Sequence, residues 1–340
     1  MSEQRNLVNH RVLLRERPAG RPEPDNFAFD EQPVGRLRPG EVLLETVYMS
    51  VDPAMRVWIS DEPGYVEPVQ IGEVMRAGGI GRVIESENEN LKVGDYVQGR
   101  LGWQTHPCLD GQSLTKLDLE LGTVLDWIGP LGTTALTAYF GLHRVCEITA
   151  SDTVLVSAAA GGVGQIATQI ARIEGCRVIG IAGGPDKCAY LRDELGVDAT
   201  IDYLAQTDIT SAIRAVCPEG VDVYFDNVGG PTLDGALANM RLGARIAICG
   251  RISQTASQTL YGVTNLGQLI GKRARLQGFI VSDYAAQFDE ARNWLAAQIR
   301  SGALKQRMHV LDGLAKAPQG LSMLFRSENT GKLVVQCAPS

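Results

Sequence analysis

The run Val154-Leu155-Val156-Ser157-Ala158-Ala159-Ala160-Gly161-Gly162-Val163-Gly164 constrains the fold of this chain more than any other stretch. Branched apolar residues read as a buried strand, the small residues as a tight turn, and Val163, Ile166, Ala167 and Ile170 then recur at helical spacing. Gly175 ends the predicted helix, and Arg177-Val178-Ile179-Gly180-Ile181-Ala182 reads as a second strand. Two strands joined by a helix make a parallel crossover unit, and its turn lets backbone N–H groups meet a phosphate at the positive end of the helix dipole. Ala159-x-Gly161-x-x-Gly164 is a variant of the dinucleotide fingerprint. An ordinary tight turn is the plainer reading, and the complete frame argues against it. Gly161, Gly162, Val163 and Gly164 are therefore expected to hold a pyrophosphate.

The tip of the second strand points to the kind of dinucleotide. A site for NAD usually carries Asp or Glu there to accept from the ribose 2′-hydroxyl. This chain has Gly183-Gly184-Pro185-Asp186-Lys187 instead. Glycines leave room for a 2′-phosphate and Lys187 supplies a charge-assisted contact, so NADPH is expected over NADH. Asp186 is expected to cap the next helix.

A length of 340 residues with 44% hydrophobic content fits two folded cores. No long apolar run is present and the start, Met1-Ser2-Glu3-Gln4-Arg5-Asn6, is polar, so a cytoplasmic place away from membranes is the expectation. A net charge of −7 argues against a nucleic-acid partner. The seven cysteines lack C-x-x-C pairs and read as reduced thiols. His106 and Cys108 lie close together but make only half of a four-ligand zinc site, so no metal is expected.

Up to about residue 125, short apolar runs such as Val42-Leu43-Leu44 and Gly81-Arg82-Val83-Ile84 alternate with turns such as Arg38-Pro39-Gly40-Glu41 and Lys92-Val93-Gly94-Asp95. That pattern predicts a barrel-type β domain. Strands and helices alternate from about Gly132 to Gly302, as a doubly wound parallel sheet requires. Later strands are predicted at Val221–Asp226 and Ala244–Cys249, placing Asn227, Cys249 and Gly250 at carboxyl ends, where such sheets bind ligands. Gly331-Lys332-Leu333-Val334-Val335-Gln336 reads as a strand that returns to the first domain. The division expected is an α/β nucleotide domain at 131–305 and a first domain at 1–130 completed by 306–340.

Further segments carry a resemblance over nearly the whole chain: Met49-Ser50-Val51-Asp52-Pro53, Leu136-Thr137-Ala138-Tyr139-Phe140-Gly141-Leu142, Tyr224-Phe225-Asp226-Asn227-Val228-Gly229-Gly230, Ile248-Cys249-Gly250-Arg251-Ile252-Ser253, Gln277-Gly278-Phe279-Ile280-Val281 and Asn329-Thr330-Gly331-Lys332. With the glycine turn and Lys187, they resemble the zinc-independent medium-chain dehydrogenase/reductases, in the branch of prostaglandin and leukotriene reductases, plant alkenal double-bond reductases and bacterial curcumin reductases. The resemblance implies a GroES-like first domain, a Rossmann second domain, homodimers, and NADPH-dependent reduction of a C=C bond conjugated to a carbonyl. It implies cofactor contacts at Gly161 to Gly164, Lys187, Tyr203, Asn227, Cys249, Gly250, Ser253, Phe279, Val281 and Asn329.

The chain also departs from its family. Ala54 stands where many relatives have the tyrosine of Asp-Pro-Tyr-Met-Arg, and Thr255 where they often have the tyrosine of Ser-x-Tyr-Asn. Gly132-Thr133-Thr134-Ala135 replaces a common Gly-Met-Pro-Gly run. Ala54, Tyr65, Thr133 and Thr255 are thus the expected substrate-pocket residues, the pocket being wider at Ala54 and more polar at Thr255. The phenols left as pocket and catalytic candidates are Tyr65 and Tyr261; Tyr65 is read either as a donor to the substrate carbonyl or the proton source for the α-carbon, or as a loop tyrosine packing its ring on the barrel. Quinone reduction on the same scaffold, and NADPH sensing without turnover, stay open as alternatives.

Overall fold

The computed structural model describes residues 7–61, 64–257 and 259–339. The polar start at Met1–Asn6, and Glu62 and Pro63 ahead of Tyr65, lie outside the described residues. The chain divides into two compact units. One holds the described residues up to Ile128, Met308–Asn329 and those from Leu333 onward; the other holds Gly129–Arg307 and Thr330–Lys332.

In the first unit, β1 (Val8–Leu14) and β2 (Phe27–Pro33) pair antiparallel. A larger sheet is built on β3 (Glu41–Ser50), which pairs antiparallel with both β4 (Gly79–Ser86) and β6 (Cys108–Asp110). It continues from β4 to β5 (Tyr96–Gly99) and β7 (Thr115–Lys116). The two apolar runs foreseen lie inside β3 and β4. Both turns close by backbone hydrogen bonds, Glu41 N–H to Arg38 O at 3.0 Å and Asp95 N–H to Lys92 O at 3.0 Å. β3 is buried along most of its length, and Met49, Met55, Ile59, Trp103 and Val335 share one apolar core while Val42 and Leu44 belong to another.

The second unit is a six-stranded parallel sheet. Its strands are β8 (Thr153–Val156), β9 (Arg177–Ala182), β10 (Ala199–Asp202), β11 (Val221–Asp226), β12 (Met240–Ile248) and β13 (Arg275–Gly278). They lie in the order β10-β9-β8-β11-β12-β13, so the winding reverses between β8 and β11. That is the doubly wound dinucleotide order, with its ligand crevice at the carboxyl ends where direction switches. The expected β9 and β11 match the structure residue for residue. β12 starts earlier than expected, at Met240, because an irregularity in its pairing with β11 separates Met240 from the regular run that begins at Arg245. β10 and β13 went unforeseen, since four residues of mixed polarity give too little periodicity to read.

After β14 (Met308–Asp312), the last strand β15 (Lys332–Gln336) pairs antiparallel with β3 through Val334–Ser50 and Val335–Met49. No helix among the described residues is long and apolar enough to cross a membrane.

Candidate functional site

The glycine turn is shaped by close backbone contacts. Ala158 adopts a positive φ of 47°, its carbonyl accepts from Gly161 N–H at 2.9 Å, and Ala159 N–H donates to Ile181 O at 2.9 Å. A Cβ on Gly164 would stand 2.2 Å from the Ala158 carbonyl oxygen and 2.7 Å from Ala159 Cα, so only glycine fits where the helix Gly164–Ile173 meets the turn. Gly161 also bridges Gly331 in parallel, and a Cβ on Gly162 would meet Lys332 Cδ at 2.9 Å and Thr134 Cγ2 at 3.6 Å. Beside this cradle the buried Thr134 hydroxyl has no partner among the described residues. An orphaned donor next to backbone too tight for a side chain fits a cofactor with oxygen acceptors, and no signal in the sequence distinguished Thr134 from Thr133.

At the tip of β9, Gly184 rather than Asp186 is the N-cap of the helix Pro185–Ala189, which corrects the capping role expected of Asp186. Asp186 sits exposed within the first turn. Gly184 N–H donates instead to Asp202 Oδ1 at 2.8 Å, and Leu204 N–H reaches the same oxygen at 3.0 Å. The carboxylate at the end of β10 is thereby turned toward backbone donors. Tyr203 covers Gly183, whose Cβ would lie 2.8 Å from its ring and 3.0 Å from its hydroxyl. Lys187 is half-buried in the same helix, and burial holds its ammonium below the usual lysine value. Gly183, Lys187 and Tyr203 can hold an anionic ribose substituent.

At the switch point a buried aspartate, through its carboxylate and its backbone carbonyl, joins the ends of three strands. Asp226 is fully buried, and its Oδ1 accepts from Tyr224 Oη at 2.7 Å, Val228 N–H and Gly229 N–H at 2.9 Å each, and the Ser157 hydroxyl. Its Oδ2 has no partner. Burial pushes the Asp226 carboxyl above the ordinary aspartate value, outweighing the donors that favour its charge. The Asp226 carbonyl accepts from Cys249 N–H and Gly250 N–H, both at 2.9 Å. Asn227 Nδ2 donates to Ser157 O at 2.8 Å, which leaves its amide oxygen as an acceptor. The Ser253 hydroxyl is committed to Val228 O at 2.7 Å and so braces two loops. Burial pushes the Cys249 thiol up to about 12, which suits a backbone contact and not a thiolate. Phe279 packs edge-on against Phe225 with ring centroids 6.4 Å apart, and Val281 opens the helical turn Val281–Gln287.

Comparison with known proteins agrees with this geometry. Residues 10–117 match a family described as the N-terminal domain of oxidoreductase, and residues 162–297 one described as zinc-binding dehydrogenase. An NADPH-dependent curcumin reductase of Escherichia coli is 38% identical over 336 residues, 97% of each chain. An NADP-dependent 2-alkenal reductase of Nicotiana tabacum is 36% identical over 334 residues, again 97% of each. The chain belongs to the zinc-independent medium-chain dehydrogenase/reductases. The crystal structure of CurA from Vibrio vulnificus in complex with NADPH superposes with a TM-score of 0.92 at 37% identity, covering 97% of this chain and all of that one. Although the second family's description mentions zinc, no group of three or more His, Cys, Asp or Glu among the described residues could hold a metal ion.

In this medium-chain reductase the two candidate phenols differ. Tyr261 is already engaged. Its hydroxyl donates at 2.9 Å to Asp234 Oδ2, which also accepts from Thr264 Oγ1 at 2.6 Å, while Oδ1 takes the N–H groups of Thr264 and Asn265. Tyr261 therefore anchors its loop, and its proton is already shared with a carboxylate. Tyr65 is 53% exposed, and its oxygen accepts from Trp58 Nε1 at 3.1 Å, so its own proton is left to give.

The remaining predicted positions divide between the units. Ala54 is the N-cap of the short helix Met55–Trp58 in the first unit. The Thr255 hydroxyl donates to Ile252 O at 3.2 Å within its own helical turn, so it adds less free polarity than its type suggests. Thr133 is exposed at the start of the helix Thr133–Phe140. Asn329 belongs to the first unit, whereas the three residues after it belong to the second.

Proposed function

We propose that this protein reduces the C=C bond of α,β-unsaturated ketones and aldehydes with NADPH and without a metal. The second unit is its nucleotide domain. When bound, the nicotinamide supplies a hydride to the β-carbon. Gly161, Gly162 and Gly164 shape the pyrophosphate cradle, Lys187 and Tyr203 receive the 2′-phosphate, and Asn227, Cys249 and Gly250 line the switch point. Phe279, Val281 and Asn329 complete the cofactor contacts in this assignment.

The state of Tyr65 carries the reading furthest. Saturating an enone places a proton on the α-carbon, and a phenol that accepts one hydrogen bond while keeping its own proton is built to give it. A conjugated carbonyl already spreads the negative charge, so no metal is required of the protein. Ala54 leaves space beside the helix that precedes Tyr65, which supports a broader acceptor.

Two further features belong to the proposal. β13 ends its sheet, and Ile270 and Leu266 nearby are exposed, so a second copy of the chain can pair along that edge. Seven free thiols support a reducing cytoplasm.

The test is consumption of NADPH by the purified protein against enones, enals and quinones, with products identified by mass. A saturated carbonyl is expected, and Tyr65→Phe should slow its formation at least about tenfold. A hydroquinone as sole product, or binding of NADPH with no turnover, overturns the proposal.

A further inference from the structure

The loop that carries Tyr65 folds back on the helix it leaves. Val69 N–H closes onto Trp58 O at 2.8 Å, and between these residues the phenol of Tyr65 meets the indole N–H of the same tryptophan at 3.1 Å. Arg76 reinforces the pair: its guanidinium carbon lies 5.9 Å from the Trp58 ring centroid and its Nη1 donates to Glu67 O at 2.8 Å. Trp58 itself is partly buried against the core that contains Met55 and Ile59, so its ring is a fixed platform. An indole N–H only donates, which forces the phenol into the acceptor role in this contact.

We propose that Trp58 is a positioning residue that holds Tyr65 as a proton donor and favours the phenolate left behind, with Arg76 strengthening the indole donor. The proposal rests on the assignment of Tyr65 made above. In the step, the Tyr65 O–H bond breaks as the α-carbon C–H bond forms. The electron pair stays on the phenol oxygen, where the indole N–H stabilises it, and the exposed phenolate then regains its proton from solvent. A donor aimed at the oxygen meets the negative charge that develops there as the proton leaves. The nitrogen of Trp58 loses no proton at any stage.

The experiment is a cycle of Trp58→Phe, Tyr65→Phe and the double variant, with 3-penten-2-one as acceptor. Trp58→Phe keeps an aromatic platform and removes the N–H. We expect it to lower kcat about three- to tenfold, as loss of one hydrogen bond predicts, with the Kd for NADPH unchanged. The KM for the acceptor should stay within about twofold of the parent, so that the loss falls on kcat, as expected for an interaction made only as the proton leaves. In the Tyr65→Phe background the tryptophan change should cost nothing further.

An equal loss from Trp58→Phe in both backgrounds, or a loss confined to KM, overturns the inference while leaving Tyr65 as the donor. If Tyr65→Phe is as fast as the parent, the assignment of Tyr65 fails and the inference with it. Should Trp58→Phe not fold, Arg76→Met tests the same contact, with a smaller loss of kcat at unchanged KM expected and no loss overturning it.

Discussion

The Ser157 hydroxyl donates to Asp226 Oδ1 at 3.1 Å, joining the residue that follows β8 to the last residue of β11. With Tyr224, Val228 and Gly229 on the same oxygen, one carboxylate fixes the spacing of the two strands between which the winding reverses. Removing it should therefore register in both the fold and the cofactor loops.

Asp226→Ala strands several buried donors, and a loss of about 3 kcal/mol in urea unfolding is expected. Asp226→Asn keeps an acceptor and should cost less. Because burial raises the folded carboxyl above its unfolded value, Asp226 contributes stability below the unfolded value that is lost as pH rises through the folded one. The asparagine variant should accordingly gain on the parent as pH climbs through that acid window. A difference that stays flat with pH would show that folding leaves the Asp226 carboxyl unshifted.

Lys187→Ala should raise the KM for NADPH about tenfold or more, the worth of a hydrogen bond to a charged group, and leave NADH nearly unchanged. Burial also makes Lys187 lose its proton at lower pH than an exposed lysine. NADPH affinity should fall toward alkaline pH in the parent, and that part of the fall should vanish in the variant. Equal effects on both nucleotides would place Lys187 outside the 2′-phosphate site.

Thr134→Val separates stability from binding. The hydroxyl is buried without a partner, so valine should leave the melting temperature unchanged or slightly higher. If a cofactor oxygen takes that hydroxyl, the Kd for NADPH by fluorescence titration should rise about fivefold, about 1 kcal/mol. An unchanged Kd would return Thr134 to the helix core.

Tyr261→Phe removes one donor from Asp234 and should cost about 1 kcal/mol of stability. Turnover should stay within about threefold of the parent, against the much larger loss expected for Tyr65→Phe. A comparable loss from both phenols would restore Tyr261 to the chemistry.

Much of the nucleotide unit was legible because local rules set it. A buried strand, a turn of small residues and a 3.6-residue period announce themselves within a dozen positions, and β9 and β11 followed from apolar content alone. The hub at Asp226 did not, because its partner Ser157 comes from the end of the neighbouring strand, 69 residues away in sequence. Tyr65 and Tyr261 looked alike as loop phenols. What separates them is the neighbour at the oxygen, Trp58 for one and Asp234 for the other, and no spacing rule encodes either pairing. Thr134 was passed over for Thr133 because burial on a helix start depends on what packs there.

Residues 330–332 group with the nucleotide unit, although the strand they open pairs with β3 of the other. Gly331 bridges Gly161, and Lys332 crowds Gly162. A graft of 129–307 into a related scaffold would thus transplant the glycine turn without its outer wall, and the recipient's own tail would have to supply a glycine and a lysine at those places. The glycine cradle of this chain is not inherited as a single cassette.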